Sequence, residues 1–353
     1  MPFSLPLAPL RPSRTQALTA LVATAGGALL SLLHVPLAWM IGALLATAAY
    51  GWNRPVDFPG WARPAGLVFL GLGLGTTFSG PVLAAVTAAL PALLVGGFLS
   101  ILAGIAIAPL FGRLAGTDAR TSVFCTVPGG IVVMAMLAHQ ARVPVAPVTL
   151  AQSVRVLVVV LSFPPLLGWL APHGDVSEFM APRPPFSLAG LGAMTALGLL
   201  TVWPLGRLGI ANPWMLGPCG LAILLAATGH LPSGVPKPLV DAAQVAMGAT
   251  LGLRLNRGFI LGARRLFQAS VLSSFALSLL LALLAVPLAL LWDLPVAAAI
   301  LGLAPGGMPE MALTAKALEL AVPLVLGFHL VRTVLSNLVV GPLHRAAVRL
   351  GWL

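Results

Sequence analysis

The chain has 353 residues, of which 59% are hydrophobic and only 8% charged, with a mean hydropathy of +1.03. A soluble domain carries about 25% charged residues, so this composition excludes a soluble globule and a disordered chain and leaves an integral membrane protein. The net charge of +11 comes from 19 Lys and Arg against 8 Asp and Glu. The arginines are scattered through short loops, with one denser patch at Arg254, Arg257, Arg264 and Arg265, so they read as markers of membrane orientation rather than nucleic-acid contacts.

The apolar runs are long and continuous, whereas barrel strands alternate in segments of about 10 residues. The expected fold is therefore all-α, a polytopic helical bundle. Arg11, Arg14 and the apolar run from Ala17 resemble a signal sequence but lack a clear small-residue cleavage site, and read as the first span. A span needs about 20 apolar residues, and uncharged windows supply candidates at 15–33, 36–50, 64–78, 82–111, 121–138 and 144–171. Ser79-Gly80-Pro81 is a natural turn within the uncharged stretch from Pro64 to Gly112. A polar, proline-rich connector follows, with His173, Asp175, Glu178, Arg183 and Pro184-Pro185. Further apolar segments occupy 186–206, 211–229, 238–253, 266–292, 294–315 and 321–343. The expected organisation is a first membrane repeat over 15–171, a linker over 172–185 and a second repeat over 186–345. Cys125 and Cys219 both sit in apolar runs and read as small buried residues.

The two halves repeat each other. Shifting residues 128–165 by 177 onto 305–342 needs no gap and gives 12 identities in 38 positions, against about 4 expected from so apolar a composition. Pro128-Gly129-Gly130 falls on Pro305-Gly306-Gly307, Met134-Ala135 on Met311-Ala312, Val154-Arg155 on Val331-Arg332 and Pro165 on Pro342. The same shift puts Gly71 and Gly75 on Gly248 and Gly252, and Trp39-Met40 with Gly42 echo Trp214-Met215 with Gly217. Charge predicts that the halves are inverted. Arginines follow the fourth segment of the first half (Arg113, Arg120) but the third segment of the second half, and positive loops prefer the cytoplasm. Inversion requires an odd number of crossings between equivalent points, so one short segment, 36–50 or 186–206, is expected not to cross.

Candidate site residues cluster at the repeated motif. Proline removes a backbone donor and glycine weakens a helix, so each PGG should break its segment. Paired broken helices mark solute sites in inverted-repeat transporters, where broken backbone is tolerated because it lines a cavity. The candidate solute-binding residues are Arg155, Arg332, Gln152, His329, Gly129, Gly130, Gly306, Gly307 and Asn337, with the two arginines lying deep in their apolar runs. A central arginine costs at least about 2.5 kcal/mol on insertion scales and should face a partner inside the bundle. That partner is either a ligand or the carbonyls freed by the PGG breaks. Gln152 and His329 stand three residues before the arginines on the same helical face, with Ser336 and Asn337 a turn beyond Arg332. Glu310, whose counterpart is Val133, is a candidate counter-ion or coupling group, or a first-turn helix acid. The glycines of Gly71-Leu-Gly-Leu-Gly75 read as close helix packing and not as a nucleotide loop. No catalytic constellation, metal-ligand set or cofactor is expected: the six histidines, His34, His139, His173, His230, His329 and His344, show no metal spacing.

Pro305-Gly-Gly-Met-Pro-Glu-Met with Phe328-His329-Leu330-Val331-Arg332, and the weaker Pro128-Gly-Gly copy with Ala151-Gln152-Ser153-Val154-Arg155, resemble the duplicated AbrB-type bacterial membrane protein family. Val35-Pro36-Leu37-Ala38-Trp39-Met40-Ile41-Gly42 and Asn212-Pro213-Trp214-Met215-Leu216-Gly217 look like its repeat openings, and the likeness covers about residues 20–345. Members carry the labels AbrB family regulator, regulator of gene expression and ammonia monooxygenase. The family often has an acid in the first PGG motif as well, which Ile131-Val132-Val133-Met134 lacks. The resemblance implies a multi-pass protein of the bacterial inner membrane and names no substrate. The leading expectation is a secondary transporter of a small, anionic organic solute, not an enzyme, with Arg155 and Arg332 binding the anion and Glu310 coupling protons or balancing charge. The alternatives are a membrane-bound sensor that acts on gene expression and, third, the monooxygenase of the family label. Expected partners are the solute and the lipid bilayer, without direct nucleic-acid contact. The small-residue first segment, with Gly26-Gly27, allows a homodimer.

Overall fold

The computed structural model describes residues 13–170, 179, 184–208, 210, 212–255 and 257–349. Most of the 172–185 connector, including His173, Asp175, Glu178 and Arg183, lies outside the described residues. The described elements are helices throughout. In the first half they are α1 (Arg14–Leu32), α2 (Ala38–Gly51), α3 (Ala62–Gly75), α4 (Gly80–Ala88), α5 (Leu90–Ala115), α6 (Ala119–Thr126), α7 (Ile131–Gln140) and α8 (Val145–Leu170). The second half forms α9 (Leu188–Arg207), α10 (Pro213–Ala227), α11 (Lys237–Gly252), α12 (Arg257–Gly262), α13 (Arg264–Leu291), α14 (Val296–Leu303), α15 (Met308–Ala317) and α16 (Val322–Arg349).

Local chemistry sets the ends. Ser13 and Gln16 form a reciprocal capping box at α1, while Asp118 and Ser187 cap α6 and α9 through their side chains; each satisfies backbone N–H groups that have no partner within the helix. α3 and α4 meet at a 91° bend across the predicted Ser79-Gly80 turn. The chain turns through left-handed residues at Leu37 and Asn212, Gly116 and Asp293, and Arg142 and Glu319. The last two pairs are separated by the same 177 residues as the PGG motifs.

Among the described residues, six helices are long and apolar enough to cross a membrane, α1, α5 and α8 in the first half and α9, α13 and α16 in the second, and the bent pair α3–α4 passes the same test only when taken together. Of the two segments expected to include a non-crossing one, 186–206 lies in α9 and meets that test. Segment 36–50 forms α2, whose 14 residues span about 21 Å against a hydrocarbon core of about 30 Å. α10 is short as well.

The helices pack as two compact units, Met1–Ala84 with Met180–Gly262 and Ala85–Phe179 with Ala263–Leu353. Each unit draws on both halves of the chain, so packing cuts across the division at the linker. In the first unit α3 packs on α10 and α11 on α2. The close approach is made by glycines: Gly71 and Gly75 lie against the carbonyls of Met215 and Cys219, and Gly248 and Gly252 against those of Met40 and Leu44. The GLGLG run is thus a helix-packing surface. Gly26 and Gly27 seat α1 on Gly42, Ala46 and Trp39 of α2, so the pair read as a dimer contact is used within the chain. In the second unit α5 packs on α13 and α16, and α8 on α6, α7 and α13. This unit holds both PGG motifs.

Candidate functional site

Each PGG motif interrupts a helix for a physical reason visible in its backbone. The residue before a proline is pushed out of the helical region. Val127 (ψ 126°) and Ala304 (ψ 135°) accordingly end α6 and α14, and Gly130 (ψ 137°) and Gly307 (ψ 149°) are still extended where α7 and α15 begin. An interrupted helix leaves carbonyls without N–H partners, and Pro128 and Pro305 cannot supply the N–H that Phe124 and Leu301 would otherwise bind four residues later. Leaving such groups bare in an apolar interior costs several kcal/mol each, about 2–7 by transfer measurements.

Side chains from α8 and α16 fill those vacancies. Gln152 donates from Nε2 to Phe124 O (2.9 Å) and Val127 O (3.0 Å). Arg155 donates from Nη1 to Val127 O (3.2 Å) and from Nη2 to Gly129 O (3.1 Å). Across the second break, the Nε2 of His329 bonds Leu301 O at 3.2 Å, and Arg332 donates to Ala304 O (2.7 Å) and Gly306 O (2.9 Å). An Arg332 Nη2–His329 Nδ1 contact of 2.7 Å joins the two side chains. The sequence separations are the same at both breaks: 28 residues to the carbonyl before the proline and 26 to the first glycine.

The two breaks are also tied to each other. Arg155 Nε donates to Pro305 O (2.8 Å), and the Ser336 hydroxyl donates to Pro128 O (2.9 Å). These groups are deeply buried: Gln152, His329 and Ser336 expose 0%, Arg155 3% and Arg332 5%. A methionine folds over the first glycine of each motif, Met134 over Gly129 and Met311 over Gly306.

Glu310, 2% exposed, sits in the first turn of α15 with its carboxylate folded back over Gly307, where the helix N-terminus favours a negative charge. Asn337 lies on an exposed face of α16. Ser336 takes the inward position because it is four residues from Arg332, about 40° round the helix, whereas Asn337 is about 140° away.

The α13 residues beside Arg155 were not among the expected site residues. Ser270, Ser273 and Ser274 are buried and, with Thr126 and Arg155, line a narrow cleft. Serines at i, i+3 and i+4 inside an apolar span were the available signal.

The long apolar helices, the buried guanidinium groups and the interrupted segments define an integral, multi-pass membrane protein. Within that class, the chain belongs to the AbrB family: residues 39–347 match the family described as Transition state regulatory protein AbrB. The uncharacterized protein YhjN of Bacillus subtilis (strain 168) is 29% identical over 349 residues, covering 92% of this chain and 91% of the relative. A protein of Escherichia coli (strain K12) with the provisional name regulator AbrB is 25% identical over 315 residues, covering 88% and 89%.

Proposed function

We propose that the protein is a secondary transporter of a small anionic organic solute in the bacterial inner membrane, built from two inverted repeats. The observation that carries this reading is the reciprocal tie between the interrupted helices, Arg155 to Pro305 O and Ser336 to Pro128 O. It brings two broken backbones and two guanidinium groups together in one packing unit. Broken helices in membrane proteins are tolerated where they are buried in protein or line a cavity, and in inverted-repeat transporters they form the solute site. The repeat reading is supported by the shared hydrogen-bond spacing, by the left-handed turns that recur at the same shift, and by the exchanged glycine contacts of α3 with α10 and α11 with α2.

In this reading the arginines have a double task. They satisfy the broken backbone and give the site its positive field, to which the N-termini of α7 and α15 add. A planar guanidinium carries five N–H groups, and Arg155 directs three at carbonyls. Glu310, with no acidic counterpart at Val133, is the candidate coupling group. The test is counter-flow of labelled mono- and dicarboxylates in proteoliposomes with wild type, Arg155→Met, Arg332→Met and Glu310→Gln. Loss of flux in both arginine variants, with Glu310→Gln keeping exchange but losing proton-driven accumulation, is the expected pattern. Undiminished flux without the arginines removes them from the mechanism.

The provisional name of the Escherichia coli relative favours a second reading, a membrane-bound sensor that acts on gene expression through the same buried site. A sensor binds its metabolite without net flux, so saturable binding in detergent with no counter-flow selects it.

A further inference from the structure

The two breaks are not equivalent, and the difference assigns a ligand. The pairing of positions across the two halves rests on the repeat reading above. The 177-residue spacing pairs Phe328 with Ala151, and Ser273 and Ser274 with Gly96 and Gly97. On the Arg332 side, the Phe328 ring packs against Gly96 and Gly302, and Gly97 lies against Leu335 and the Arg332 backbone. That side is filled. On the Arg155 side an alanine replaces the ring and two serines replace the glycines, so a large apolar plug gives way to a cleft with a polar wall.

We propose that this cleft, between α6, α8 and α13, binds a compact monovalent anion, either a free halide or the carboxylate end of the transported solute. Its lining includes Arg155, Thr126, Ser270, Ser273 and Ser274 and no acidic residue among the described residues. In this structure the cleft has room for about one water-sized group, which fits a single halide or one carboxylate oxygen and excludes a bulky organic body. The serine hydroxyls donate to carbonyls one turn earlier: Ser270 to Leu266 O, and Ser273 to Ala269 O, each at 2.7 Å. A hydroxyl proton rotates freely, so each can turn toward an incoming acceptor. The guanidinium supplies the charge, and charge-assisted hydrogen bonds are about twice as strong as neutral ones.

The experiment is thermal unfolding of the purified full chain in detergent at constant ionic strength, with gluconate replaced stepwise by chloride or by formate. Wild type is expected to gain about 3 °C near saturation. Ala151→Phe places the counterpart of Phe328 in the cleft and is expected to abolish the gain. Ser273→Ala/Ser274→Ala, which changes volume little, is expected to halve it or more and carries the test if the phenylalanine variant does not fold. No gain in wild type, or a full gain in these variants, overturns the site. A gain with chloride alone assigns a free halide; a gain with formate, lost together with carboxylate counter-flow in Ala151→Phe, assigns the solute. Absence of any wild-type flux with the gain intact sinks the transporter reading and leaves the site standing.

Discussion

Arg155→Met isolates what the guanidinium does for the broken helix. Methionine keeps the length and apolar packing of the side chain but removes three donors, those to Pro305 O at 2.8 Å, Val127 O at 3.2 Å and Gly129 O at 3.1 Å. Hydrogen bonds from a charged donor contribute about 1.5–3 kcal/mol each, so the gross loss is about 5–9 kcal/mol. Removing a charge from the apolar interior returns about 2.5–3.5 kcal/mol on the insertion scale. The loss exceeds the return, and a net destabilisation of about 1.5–6.5 kcal/mol remains. The chain holds its own reporter, because its two cysteines are buried in different packing units, Cys125 in α6 just ahead of the break and Cys219 in α10. In a Cys219→Ala background, labelling of Cys125 by a thiol-reactive dye in detergent follows opening around the break. Two kcal/mol raises the open population about 30-fold, and the labelling rate should rise equally. In a Cys125→Ala background, labelling of Cys219 should change less than threefold. A Cys125 rate within twofold of the parent would show that the arginine does not hold the interruption together.

Three other outcomes follow from the packing. His329→Gln should leave the apparent melting temperature within about 2 °C, because glutamine meets the corresponding carbonyl at Gln152, while His329→Leu strands Leu301 O and should lower it by several degrees. Gly75→Val should prevent recovery of folded protein by size-exclusion chromatography. A Cβ at Gly75 would lie 2.5 Å from Cys219 O and 2.6 Å from the Ala222 side chain, and rigid helix backbones cannot absorb that. Gly192→Ala and Gly220→Ala, in α9 and α10 with nothing within 4 Å of the new methyl, should instead be neutral or add up to about 1 kcal/mol through helix propensity, read as a small upward shift in melting temperature.

The parts legible in the sequence were those where a short motif forces one backbone outcome. A lone proline does not end a helix here, since Pro109, Pro164, Pro165 and Pro287 stay inside α5, α8 and α13, but Pro128 and Pro305 are each followed by two glycines, and that combination could be read directly as a break. Arg155 and Arg332 had to be buried and paired because no apolar environment tolerates them alone. The packing units were not legible, because the glycines that join α3 to α10 and α11 to α2 show only that some backbone comes close, not which one. Segment 82–111 hid a boundary at Ala89, where α4 gives way to α5 without any change in composition. The serines of α13 were hidden for another reason. A hydroxyl that bonds the carbonyl one turn earlier sits in a membrane helix at little cost, so Ser270, Ser273 and Ser274 leave the hydropathy of 266–292 nearly unchanged. Asn337 and Ser336 differ by one residue in sequence and by about 100° on the helix, which decides which of them meets Pro128 O.

Under the proposed duplication, what both halves keep and what only one half has point to different duties. Both keep the proline break, the arginine that covers it and the methionine over the first glycine, and all of these satisfy or pack the interrupted backbone. Such features are needed for the fold, and their loss should be read first in stability. The differences lie beside them: Ala151 against Phe328, Gln152 against His329, Val133 against Glu310, and Ser273-Ser274 against Gly96-Gly97. A backbone break needs no serine wall and no missing phenylalanine, so stability alone does not account for the cleft beside Arg155. An anion there would turn the asymmetry into a division of labour, with the Arg332 side a closed brace and the Arg155 side a receptive one. Substitutions at Ala151 and Ser273 should therefore change ligand response more than melting temperature, while Gly306→Ala should do the reverse.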